Sequence, residues 1–228
     1  MKATSLLLFS AFASILFCGR FSTASLAEEN RVVDELIWGQ AKSTGRMVAL
    51  SRDDEAFNFF DIGNLSQSSQ PLVHEALNKL SSASGVRIER GPDKSWSIGI
   101  FHDANVFARL KNDKQAFRVV GVPDELIGAL EQRLADDTKC ITMTRSDSEE
   151  NVLLTVILSS QQTNFDECLV SGLLYSFGIA ANEINTKTLL GACILHEARR
   201  AGLRDREYLS AETSKFNEKC LAKLESPK

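Results

Sequence analysis

Histidine, proline and tyrosine are scarce in this sequence, which has three histidines, four prolines and two tyrosines among 228 residues. Several motifs of catalytic and cofactor-binding proteins are also absent, since the chain has no CxxC pair, no GxSxG elbow, no GxxxxGK loop and no GxGxxG loop. The sequence therefore lacks the signatures of a zinc knuckle, a nucleophilic serine of the α/β-hydrolase type and a phosphate-binding loop. We expect neither a bound metal nor an organic cofactor.

Residues 1–27 have the pattern of a cleavable signal peptide. Lys2 supplies a positive charge, an apolar stretch spans residues 6–17, and Ser25 and Ala27 place small side chains before the expected cleavage site. The apolar stretch is too short to cross a bilayer, which takes about 20 residues in a helix. We therefore expect a periplasmic or secreted protein without a permanent membrane anchor.

Cys18 offers an alternative to simple cleavage, because it could become the lipid-bearing residue of a lipoprotein. That processing needs a small residue before the cysteine, and Phe17 is bulky, so we favour cleavage before Glu28. The remaining residues, 28–228, are enough for one buried core and too few for two ordinary domains.

The predicted mature chain is acidic. Loss of Lys2 and Arg20 leaves 24 basic against 30 acidic residues, so the formal charge changes from −4 to −6. Nucleic-acid-binding domains neutralise phosphates with a basic surface. The charge therefore argues against a nucleic-acid partner.

Four cysteines follow the predicted signal peptide: Cys140, Cys168, Cys193 and Cys220. An even number in an oxidising compartment favours two disulfides, but four cysteines allow three pairings and the spacing does not choose among them. A zinc site is the competing interpretation. It is disfavoured because no two of these cysteines are close in sequence.

Hydrophobic periodicity predicts an α/β fold in which strands and helices alternate first and helices cluster at the end. Strands are predicted at 47–50, 56–62, 86–89, 97–101, 140–144 and 152–159, and helices at 28–38, 71–80, 104–117, 123–134, 166–178, 186–202 and 210–224. We expect one domain with a mixed β-sheet and helices packed mainly on one side. The segment 152–159 is apolar on both faces and is expected to lie centrally in the sheet.

Two histidines are followed by glutamate, as in the HExxH zinc motif. The motif needs a second histidine four residues after the first, so that both imidazoles reach one metal from one helical face. After His74 that position is Asn78, and after His196 it is Arg200, whose guanidinium has no lone pair for a metal. We expect ordinary surface or helix-cap roles for both His-Glu pairs.

A succession of segments between residues 98 and 212 carries a family resemblance. It consists of SIGIFHDANVFARL, GVPDELIGALEQRLA, a cysteine opening a strand, NVLLTVILSS, FDECLVSGLLYSFGIAANE and TKTLLGACILHEARRAGLRDREYL. This order resembles an exported bacterial family, domain of unknown function 2927, whose members are similar to zincin metallopeptidases. Cys168 and Gly178 match the family signature, and Asn182-Glu183 stands in place of its Asn-Asp pair.

The departures from the family bear on function. The family helix stands where zincins have HExxH and carries two acids and a glutamine, whereas the same three positions here are Ser171, Gly172 and Tyr175. Zinc catalysis needs about three protein ligands and an open position. The resemblance thus implies a zincin-like fold with a degenerate site, and no catalytic residue.

The resemblance also implies which cysteines pair and what the protein does. It suggests Cys140 with Cys168 and Cys193 with Cys220. The expected function is binding of a protein, a peptide or a component of the cell envelope. A hydrolase that uses carboxylates without zinc is the alternative, and a structural protein with no soluble ligand is a third interpretation.

Overall fold

A computed structural model describes residues 35–37, 57–62, 69–90, 97–135, 138–146, 152–160, 165–203 and 206–225. Residues 35–37 are helical, as expected for the segment 28–38. The predicted signal peptide at 1–27 and the predicted strand at 47–50 lie outside the described residues.

The described strands form one five-stranded mixed sheet in the order β2-β1-β3-β5-β4. Their bounds are β1 Phe57–Ile62, β2 Ile88–Arg90, β3 Ile98–His102, β4 Cys140–Ser146 and β5 Val152–Ser159. The first four strands of that order run parallel, and β4 pairs antiparallel with β5. The mixed sheet is confirmed, and the apolar segment 152–159 lies inside it, between β3 and β4.

Helices cover both faces of this sheet. Their bounds are α1 Ser69–Ser84, α2 Val106–Asn112, α3 Lys114–Val119, α4 Asp124–Gln132, α5 Phe165–Ser176, α6 Thr186–Arg200 and α7 Arg206–Glu225. The four long helices α1, α5, α6 and α7 pack in one core against Ile98, Ile100 and Ile157. The shorter α2, α3 and α4 pack on the other face against Leu154, Val156 and Leu158. The α/β class is therefore confirmed, with the larger layer of helices on one side.

Local sequence signals explain several helix ends. Gly85, Gly178 and Gly202 adopt φ of 74°, 80° and 81° after α1, α5 and α6, a left-handed conformation that glycine adopts without strain. Asn185 caps α6 through a capping box with Thr188. These residues fix where the long helices stop and start.

One detail differs from the sequence-based expectation. The single helix predicted over 104–117 is split into α2 and α3 at Asp113, whose φ of −138° and ψ of 66° are not helical. The strands predicted at 86–89 and 97–101 are present as β2 and β3, with β1 between them in the sheet. A parallel sheet pairs strands through crossovers, which local turn residues do not reveal.

Two disulfides join the elements, Cys140–Cys168 between β4 and α5 and Cys193–Cys220 between α6 and α7. This is the pairing that the family resemblance implies. Disulfides persist in oxidising compartments. Among the described residues, no helix is long and apolar enough to cross a membrane.

Candidate functional site

Helix α5, which carries Ser171, Gly172 and Tyr175, is fixed against the β4–β5 pair. The disulfide joins Cys140, the first residue of β4, to Cys168 in the first turn of α5, with Cα atoms 5.8 Å apart. Leu169 and Leu173 are fully buried in the core beneath the helix. The covalent bond and the apolar face together set how α5 lies on the sheet.

Gly172 packs tightly against the sheet. A Cβ at this position would lie 2.8 Å from Ile157 Cδ1 on β5 and 2.8 Å from Thr142 Oγ1 on β4. Optimal contacts between nonbonded carbon atoms are about 3.5–4.0 Å. Even a methyl group at position 172 therefore requires the side chains of Ile157 and Thr142 to shift. A glutamate there would force the helix away from the sheet.

Ser171 and Tyr175 are half-buried, whereas Gly172 is buried against the sheet. The two half-buried residues are four residues apart, so they share one stripe of the helix with the exposed Glu167. The Ser171 hydroxyl donates a hydrogen bond to the Cys168 carbonyl at 3.0 Å, within its own helix. The structure thus brings Ser171 and Tyr175 together but turns Gly172 into the sheet.

No metal-binding cluster accompanies these positions. Throughout the part of the chain that the structure describes, no group of three or more His, Cys, Asp or Glu is arranged to hold a metal ion. The three histidines lie on three different elements, with His74 exposed on α1, His102 buried at the end of β3 and His196 buried in α6.

His196 is a buried core histidine. Its pKa is lowered to about 3, mainly by burial and then by the positive charge of Arg200, against the opposing effect of a hydrogen bond to the Phe177 backbone. Its Nε2 atom has no hydrogen-bond partner, so Nδ1 makes that bond. The imidazole is therefore neutral at pH 7 and caps the end of α5. This is a helix-cap role, as the sequence predicts.

His102 is also buried, at 5% exposure. Burial lowers its pKa, whereas a hydrogen bond to the Ser159 backbone and the charge of Asp103 act in the opposite direction. Asp103 itself pairs with Arg109 at 3.1 Å. The pocket beside His102 has a volume of only about 80 Å³, which is too small for an ordinary ligand site.

Arg200 on α6 and Lys223 on α7 stabilise the end of α1. Arg200 Nη2 donates to the Ser84 carbonyl at 2.8 Å, and Lys223 Nζ donates to the Ala83 carbonyl at 2.9 Å. Burial raises the pKa of Glu197, but the hydrogen bond and charge of Lys219 outweigh this and lower it. The HEARR segment thus helps to hold α1, α6 and α7 together, since Arg200 binds the end of α1 and Glu197 pairs with Arg200 and with Lys219 on α7.

A groove of about 300 Å³ lies on the other flank of α5, between α5 and α1. We call it the α1–α5 groove. Its lining comes from α1, from the start of α5 and from the α5–α6 connection, and comprises Leu72, Glu75, Ala76, Lys79, Asp166, Glu167, Val170, Asn182, Glu183 and Ile184. Ser171, Gly172 and Tyr175 are not part of this lining. The groove is therefore separate from these three positions.

The polar groups of the α1–α5 groove are mostly carboxylates. Glu75 pairs with Lys79 at 2.5 Å, and this hydrogen bond together with the charge of Lys79 lowers the pKa of Glu75. Glu183 accepts a hydrogen bond from Asn185 Nδ2 at 2.7 Å. These contacts hold two of the four carboxylates in place at the edge of the groove.

Sequence reasoning did not find this groove. Asn182-Glu183 attracted attention only through the family resemblance, and Glu75 only through its neighbour His74. The two walls of the groove are about 90 residues apart in sequence, so no local pattern reveals that they meet. Compared with protein-family models, curated proteins and solved structures, the chain matches none.

Proposed function

We propose that the protein is an exported, non-catalytic domain with a zincin-like fold, which acts by binding a protein, a peptide or a component of the cell envelope. The observation that carries this proposal is the contact of Gly172 with Ile157 and Thr142. The resemblance places position 172 where a zincin has the glutamate that activates water, and a side chain of that size would collide with Ile157 and Thr142. Metal-assisted hydrolysis needs that group as well as the metal.

The neighbouring positions support the same proposal. Ser171 and Tyr175 offer a hydroxyl and a phenol where zincins offer two imidazoles, and the Ser171 hydroxyl is already bonded within its helix. Zinc in proteins is bound by cysteine, histidine, aspartate and glutamate. In this proposal α5 occupies the position of the zinc-binding helix of a zincin but lacks side chains that bind zinc at positions 171 and 175.

The alternative of a carboxylate-based hydrolase receives less support. Such an enzyme needs a carboxylic acid whose pKa is raised, so that it can donate a proton near neutral pH. In the α1–α5 groove, the pKa of Glu75 is shifted in the opposite direction by Lys79. Glu75 is thus an anion at neutral pH and a poor general acid.

An exported location fits the two disulfides, since structural disulfides form and persist outside the cytoplasm. The signal-peptide pattern at residues 1–27 adds to this. We place the protein in the periplasm or outside the cell.

Generic hydrolase assays test the proposal. The purified, disulfide-bonded protein is incubated with fluorogenic peptide, ester and glycoside substrates, each with and without added zinc and with and without a chelator. We expect no turnover above a heat-unfolded control under any condition. Turnover that a chelator abolishes and zinc restores would overturn the proposal, and turnover insensitive to both would favour the carboxylate mechanism.

A further inference from the structure

The α1–α5 groove combines apolar side chains with an acidic edge. Leu72, Val170 and Ile184 are half-buried and Ala76 is buried, so they form a floor from three separate elements. Four carboxylates surround this floor, those of Glu75, Asp166, Glu167 and Glu183. Lys79 is the one basic residue in the lining, and it is paired with Glu75.

Helix electrostatics explain only part of this arrangement. Asp166 and Glu167 lie in the first turn of α5, where the helix dipole stabilises negative charge. Glu75 lies in the middle of α1, where no such effect acts. The dipole also does not account for the apolar side chains that converge between the two helices and are left partly open to solvent.

We infer that this groove binds a short peptide segment in which lysine or arginine flanks apolar side chains, an inference that rests on the binding function proposed above. Four carboxylates against one lysine give the edge three net negative charges, which attract a cationic segment and repel an acidic one. The apolar floor adds favourable burial for apolar side chains, which a metal ion or a polyamine would not use in the same way.

The size of the groove limits the partner. A volume of about 300 Å³ lies at the lower end of the range for ligand sites, about 300–1,000 Å³. It accommodates a few side chains of a flexible segment and not the face of a folded domain. A divalent cation is disfavoured, because among the described residues these carboxylates are not arranged as a metal-binding group.

Three blocked hexapeptides test the chemistry of the ligand: Lys-Lys-Leu-Leu-Lys-Lys, Glu-Glu-Leu-Leu-Glu-Glu and Lys-Lys-Ser-Ser-Lys-Lys. Binding to the purified protein is measured by fluorescence anisotropy of labelled peptide. We expect the lysine-leucine peptide to bind, the serine peptide to bind at least about tenfold more weakly because it lacks the apolar burial, and the glutamate peptide not to bind. Binding should also weaken as the salt concentration rises.

Charge-neutralising variants locate the binding site. The double variant Glu75→Gln, Glu183→Gln removes two carboxylates from the groove with little change in shape. We expect it to bind the lysine-leucine peptide about threefold to tenfold more weakly, since each exposed ion pair contributes only modestly to affinity. The matched control is Glu218→Gln, Glu225→Gln on α7, which removes the same charge from exposed positions outside the groove lining. It should bind within about twofold of the wild type.

The apolar floor has its own variant. Ile184→Ser removes an apolar side chain from the α5–α6 connection, and its thermal unfolding is compared with wild type to verify folding. We expect weaker binding of the lysine-leucine peptide and unchanged binding of the serine peptide.

Several outcomes overturn the inference. These are equal effects of the groove and control variants, equal binding of the leucine and serine peptides, or binding of the glutamate peptide. The proposed function fails separately, through metal-dependent turnover in the hydrolase assays. A protein without turnover whose peptide binding ignores the groove variants would therefore refute this inference and leave the proposed function standing.

Discussion

Replacing Gly172 by alanine tests the close packing that excludes a catalytic carboxylate from α5. In a helix interior, alanine is normally more favourable than glycine by up to about 1 kcal/mol, because it loses less backbone freedom on folding. At position 172 the new Cβ meets Ile157 and Thr142 at 2.8 Å. Adding a group to a filled site costs about 1–3 kcal/mol. We therefore expect Gly172→Ala to lower the free energy of unfolding by about 1 kcal/mol, the cost less the helix gain.

Gly128 provides a matched control within the same molecule. It lies in α4, and a Cβ at this position would meet nothing within 4 Å. Gly128→Ala should therefore raise the free energy of unfolding by up to about 1 kcal/mol. The difference between the two alanine variants measures the steric cost at position 172.

Urea unfolding followed by circular dichroism, with the disulfides intact, gives both free energies. Adding Thr142→Ala to Gly172→Ala removes one of the three clashing atoms, so the two changes should show favourable coupling in a double-mutant cycle. Gly172→Glu should be worse than Gly172→Ala, because it also places a carboxylate against the sheet. If Gly172→Ala stabilises the protein as much as Gly128→Ala does, the packing argument is wrong.

Two further predictions concern pH and redox stability. Burial lowers the pKa of His196 from 6.5 to about 3, so below pH 6.5 the unfolded chain takes up a proton that the folded chain excludes. Stability from this group is complete above that pH and falls by up to about 1.4 kcal/mol per pH unit toward pH 3. His196→Asn should show a shallower decrease in urea unfolding between these pH values, and an unchanged slope would contradict the assignment. Under native conditions, dithiothreitol should reduce Cys140–Cys168 before Cys193–Cys220, because Cys140 is exposed whereas Cys193 and Cys220 are fully buried. Alkylation and peptide mapping would show the order, and simultaneous loss of both bonds would refute it.

The sequence predicts best where the physical signal is local. Gly85 and Gly178 end their helices as expected, because the left-handed backbone they adopt is accessible mainly to glycine. The segment 152–159 is predicted as an interior strand because it is apolar on both faces, which only a strand covered on both sides requires. In contrast, the break between α2 and α3 at Asp113 could not be predicted, because no glycine or proline lies near it in the sequence.

Features that depend on distant contacts are not visible in the sequence. The steric role of Gly172 depends on Thr142, which lies 30 positions earlier and reaches it only through the packing of α5 on β4. The burial of His196 depends on the end of α5 and on α7. The α1–α5 groove likewise needs both helices in place. The spacing of apolar and polar residues within one segment does not predict contacts between segments that are far apart in the sequence.

The zinc content of natively purified protein tests the central claim most directly. After extensive dialysis, elemental mass spectrometry should find far less than one zinc per chain in the wild-type protein. Stoichiometric zinc in the wild-type protein, lost together with hydrolytic activity on chelation, would contradict the account.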